Sequence, residues 1–85
     1  MVDYKPITEL LDRIINDKTI PKNIRAAAEN AKSSLTSGQP EEMRISMAIN
    51  YLDEVSNDPN MPVYARTRIW NVVSMLEQAR KELSI

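Results

Sequence analysis

Aromatic and arginine side chains gather in one short stretch, Tyr64, Arg66, Arg68 and Trp70. These are the residue types enriched where proteins grip partners. On a helix Arg66 and Trp70 share one face while Tyr64 and Arg68 share another, so the four do not make a single patch. Arg66 and Trp70 are spaced to stack as a cation–π pair and form a binding edge. The plainer reading has Trp70 closing the rim of the core. A second cluster, Met43, Met47 and Tyr51, recurs at i, i+4 and i+8. Such a stripe needs a cover, either from the fourth helix or from a second copy or partner, where adaptable Met side chains are useful. Arg44, Arg66 and Arg68 beside an aromatic are also what an RNA-facing surface uses, phosphate charge with base stacking. Against that, 11 basic residues are balanced by 12 acidic ones for a net charge of -1. That balance does not suit a dedicated nucleic-acid binder.

The chemistry of catalysis finds little here. With no Cys and no His the chain has no thiolate, no disulfide and no imidazole for proton transfer near neutral pH. The serines, such as Ser33, Ser46 and Ser74, lack an adjacent base to activate them. A single glycine rules out a Walker loop or a dinucleotide fingerprint, which need several. Asp12, Asp53 and Glu54 are the candidates for a carboxylate-only metal site, yet bundle di-metal sites pair Glu with Glu-x-x-His. The plainer reading pairs Asp12 with Arg25 and Asp53 with Arg66 across each hairpin, as surface ion pairs of about 0.2–1 kcal/mol. Asp58-Pro59-Asn60 lacks the ligand spacing of a calcium loop and reads as a turn. The expectation is therefore no enzyme, no catalytic residue, no cofactor and no metal.

The elements that must position these residues are helical. Pro6, Pro21, Pro40 and Pro62 each stand ahead of a segment with helical apolar spacing, where proline's fixed φ and missing N–H do no harm. The spacing predicts helices over about 5–16, 21–36, 40–56 and 62–83. Their core faces are Ile7/Leu10/Leu11/Ile14/Ile15, Ile24/Ala27/Ala28/Ala31/Leu35, Ile45/Ala48/Ile49/Leu52/Val55 and Ala65/Ile69/Val72/Leu76/Ala79. The third, with a second apolar arc, is expected to be the most buried. Gly38, in Ser37-Gly38-Gln39, ends one helix and introduces the next. No stretch alternates with strand period. No apolar run approaches about 18 residues, and the start lacks a basic-then-apolar segment, so neither a membrane span nor a signal peptide is expected.

An offset of 41 residues lays Leu11-Asp12, Asn16-Asp17, Pro21, Arg25, Asn30 and Leu35 over Leu52-Asp53, Asn57-Asp58, Pro62, Arg66, Asn71 and Leu76. Each half is then a helical hairpin, about 5–36 and 40–83, with an Asn-Asp turn whose side chains bond nearby amides. Ile20 and Met61, before the prolines, are placed to plug the hairpin ends. Two hairpins can close on each other as a four-helix bundle or stack like a pair of HEAT-type repeats. Two stacked repeats leave faces uncovered, which favours closure, or an open pair completed by dimerisation.

The run Ser56 to Val73, with Asn57-Asp58, Met61-Pro62 and Arg66-Thr67-Arg68-Ile69-Trp70, and the earlier Asn16-Asp17 to Ala27 segment resemble a family of small archaeal proteins of unknown function, number 0147 among such families. The resemblance implies a compact, all-α, four-helix up-and-down bundle and a cytoplasmic archaeal setting, and carries over no activity or site residue. The residues and the resemblance together predict one helical domain over 1–85. Its expected role is a non-catalytic cytoplasmic protein-interaction module or assembly subunit, and a homodimer, contacting partners through Met43, Met47 and Tyr51 or through Arg66, Arg68 and Trp70. The alternative is an RNA- or ribosome-associated accessory protein, and the third reading a carboxylate-only metal-binding bundle.

Overall fold

The computed structural model describes residues 3–83, and in these every regular element is a helix: α1 (Lys5–Ile15), α2 (Lys22–Leu35), α3 (Glu41–Val55) and α4 (Val63–Leu83). Ser84 and Ile85, which end the expected fourth-helix tail, lie outside the described residues. The prolines act at the helix starts, one position further out than expected for Pro21, Pro40 and Pro62. Pro6 is the second residue of α1, whereas Pro21 and Pro40 stand just outside α2 and α3 in extended backbone. Their carbonyls accept the first helical bonds, from Ile24 and Arg25 to Pro21 and from Arg44 to Pro40, and Pro62 does the same for Ala65 and Arg66. Lacking an N–H costs proline nothing at such a position, because a helix leaves its first amides unpaired.

The helices meet in a ring. α2 and α3 make the most extensive contact, α1 packs on α2, α3 on α4, and α4 returns to α1 through the least extensive seam; the diagonal pairs stay apart. This is a closed up-and-down bundle, with dimensions of 38 × 20 × 20 Å, rather than a stack, in which the first helices of the two hairpins would pack together. Ile7, Leu11, Ile14, Ile24, Ile45, Leu52, Ile69, Val72 and Leu76 fill one continuous core, all between 0% and 2% exposed. Ile20 and Met61 are buried at 1% and 6%, plugging the hairpin ends as their place before proline predicts.

One expectation is corrected. α2, not α3, buries the longer face, six residues from Ile24 to Leu35 against four on α3. The reason is side-chain size: Ala27, Ala28 and Ala31 let α3 approach closely, and even Ser34 is buried, donating its hydroxyl to the Ala31 carbonyl at 2.8 Å. Gly38 lies between α2 and α3 as expected, with a φ that is not positive. α2 closes by the Thr36 N–H donating to the Lys32 carbonyl at 3.1 Å.

Candidate interaction surface

Trp70 is 65% exposed, and Val63, on the same flank of α4, is 81% exposed. The expectation that Trp70 closes the core rim is therefore overturned. Ala65, Ile69, Val72, Leu76 and Ala79 occupy the inward face of α4, and one residue advances a helix by about 100°. Trp70, one step past Ile69, is turned outward with Arg66 and Ser74. Arg66 itself is half-buried and directs Nη2 to the Asp58 carbonyl at 3.3 Å, toward the α3–α4 loop.

The stripe on α3 is graded. Tyr51 packs on the core, Met47 is half-buried, and Met43 is 49% exposed. Arg44, Met47 and Tyr51 share one flank at i, i+3 and i+7. Arg44 on that flank donates to the Leu35 carbonyl, the last of α2, at 2.8 Å. The stripe is thus covered at its Tyr51 end by the chain's own core and open at its Met43 end.

The end of the bundle formed by the two hairpin loops is held by reciprocal polar bonds. Asp17 in the α1–α2 loop accepts from Arg68 of α4 at 3.0 Å and, through its other oxygen, from the Thr19 amide and hydroxyl at 2.9 and 2.6 Å. Because the Thr19 proton goes to Asp17, the Tyr64 hydroxyl is left to donate to Thr19. The Arg68 guanidinium lies over the Tyr64 ring, 5.3 Å from its centre, as their shared face predicts. From the other loop, Asp58 accepts from Asn23 of α2 at 2.7 Å and from the Asn60 amide at 2.8 Å. These bonds hold both carboxyls below the ordinary aspartate range: Asp17 chiefly through Thr19 and then Arg68, Asp58 through the Asn60 amide and then Asn23.

A family model described as an uncharacterised protein family, UPF0147, matches residues 3–79. The chain belongs to the UPF0147 family. It is 53% identical over 77 residues to the UPF0147 protein of Methanocaldococcus jannaschii, covering 89% of this chain and 83% of the relative. Over 72 residues it is 51% identical to that of Aeropyrum pernix, covering 84% and 79%. Two crystal structures share the fold. One, of a protein of unknown function, is 51% identical with a TM-score of 0.82 over 86% of this chain and 84% of that one. The other, a UPF0147 protein of Thermoplasma acidophilum, is 34% identical with a TM-score of 0.85 over 88% and 89%. The family resemblance and the four-helix architecture expected from the sequence are both found.

The acidic residues of this UPF0147 chain are arranged differently from expectation. Asp12 pairs with Lys32 at 2.6 Å, not with Arg25, whose Nε donates to the Ile20 carbonyl at 3.0 Å. Arg66 likewise reaches a loop carbonyl instead of Asp53, which is exposed. In both hairpins the arginine four residues after proline ties helix start to loop backbone. Among the described residues no three carboxylates gather as a metal site, and no helix is long and apolar enough to cross a membrane. Sequence reasoning missed the cluster at the opposite end of the bundle, where the Tyr4 hydroxyl donates to Glu41 and Arg44 lies over the Tyr4 ring at 5.7 Å. Burial, and then the bond to Glu41, push the Tyr4 hydroxyl well above its ordinary pKa. The bond joins residues 37 apart in sequence and the ring contact residues further apart still, and no local spacing announces them.

Proposed function

We propose that this chain is a non-catalytic, cytoplasmic protein-interaction module or assembly subunit whose contact surface is the outer flank of α4 around Trp70. The exposed indole carries this reading. A tryptophan buries about 150–250 Å² when it packs, and here that area faces outward on a helix whose inner face already serves the core. Tryptophan is also among the residues that most often anchor protein interfaces. Self-association into a homodimer through the same flank is the simplest form of the proposal.

The arginines favour protein over RNA. Arg44, Arg66 and Arg68 are each engaged by the chain's own groups: the Leu35 carbonyl and Tyr4 ring, the Asp58 carbonyl, and Asp17 with Tyr64. Guanidinium groups held this way are poorly placed to neutralise phosphates. The test is affinity capture from an archaeal lysate with the wild type and Trp70→Ala in parallel, with and without nuclease and at two salt concentrations, beside sedimentation equilibrium of the purified chain. The proposal expects a protein or a second copy that survives nuclease and salt and is lost with Trp70→Ala. Equal retention by both chains, or loss on nuclease treatment, overturns it.

A further inference from the structure

Along the seam between α1 and α4 runs a groove of about 450 Å³, within the ~300–1,000 Å³ range of ligand-accepting sites. Its floor is apolar: Ile7 and Ala79, both buried, with half-buried Met75. Ser74 and Gln78 form the α4 rim, and the carboxylates of Asp3 and Glu82 stand at its mouth, with no lysine or arginine among the described lining residues. Asp3 is held in place there by accepting the Lys5 amide at 3.0 Å. From Ser74 to Glu82 the groove follows about 12 Å of helix, roughly two turns. Ser74 lies one turn after Trp70, so the groove continues the surface that the indole begins.

We infer that this groove seats a short cationic amphipathic helix of a protein partner. Apolar side chains of the partner at i and i+4 enter between α1 and α4, while its lysines or arginines meet Asp3 and Glu82. The inference rests on the interaction-module reading and adds to it the chemistry of the partner. An apolar trough alone accepts any hydrophobic segment; two carboxylates, with no lysine or arginine among the described lining residues, favour a positive one. The two-turn length suits a helix presenting one apolar residue per turn, the helix-in-groove mode of recognition.

The probe is a fluorescein-labelled peptide of about 15 residues made of Leu and Lys with helical amphipathic spacing, its anisotropy followed as the full chain is added. A scrambled peptide of the same composition is the control. The Asp3→Lys/Glu82→Lys double variant reverses the mouth, and Gln78→Trp fills the trough; all three positions are exposed, and circular dichroism verifies the fold. The expected result is binding by the wild type, weakened about tenfold or more by each variant and by scrambling. Absent binding, or equal binding by the variants or by the scrambled peptide, overturns the inference. Its failure is distinguishable from failure of the module reading. A captured partner lost with Trp70→Ala but no peptide binding refutes the groove alone, whereas no Trp70-dependent partner refutes the module.

Discussion

Trp70 and Leu52 show how much a residue's phase on its helix outweighs its type. Both are large and apolar, yet Leu52 is 0% exposed and Trp70 is 65% exposed. Replacing Leu52 by Ala leaves a cavity in the core and is expected to destabilise by about 2–5 kcal/mol. Trp70→Ala, facing solvent, is expected to change stability by less than about 0.5 kcal/mol. Denaturant titration of the two variants checks both. As the sole tryptophan, Trp70 is also expected to emit as a water-exposed indole in the dilute monomer and to shift to shorter wavelength where the chain self-associates through this flank. The core-facing residues were legible in the sequence because their 3.6-residue period is strong. Trp70 was misplaced because its apolar character outweighed the sharper signal, a face shared with Arg66 and Ser74.

At the scale of the elements, the two hairpin loops repeat one scheme. The Ile20 amide bonds the Asp17 carbonyl, the Met61 amide bonds the Asp58 carbonyl, and each aspartate side chain caps an amide two residues on. Carboxylates held below their usual range stabilise the fold above the unfolded-chain value of about 4, and that contribution is lost as pH falls through the lower folded values. Thermal melts between about pH 5 and pH 2 should show stability falling, with a shallower slope for Asp17→Asn/Asp58→Asn. The third loop behaves differently. Nothing lies within 4 Å of a Cβ placed on Gly38, and its φ is not positive. Gly38→Ala is thus expected to stabilise by about 0.4–1 kcal/mol through the unfolded chain, read as a raised denaturation midpoint. The loops were legible as turns from Asn, Asp and Pro. Their cross-hairpin partners, Asn23, Tyr64 and Arg68, were not, since only the closed ring brings them to the same end.

For the whole molecule, the sequence defined faces without saying what covers them, and so left closure and stacking both open. What closes the ring is shape: the small side chains of α2 draw α3 in, and α4 is then carried back to α1. The resulting seams are unequal, and that inequality has a consequence in time. α1 buries three residues against six for α2, and its seam with α4 is the least extensive in the ring. Local opening follows the cheapest route, so α1 is the helix that swings out first, while α2 and α3 stay joined until the molecule unfolds as a whole. Native-state amide exchange should show α1 protected least and the α2–α3 pair most; uniform protection of all four helices would contradict this. The groove lies along the seam that breathes, so its width fluctuates with each excursion of α1.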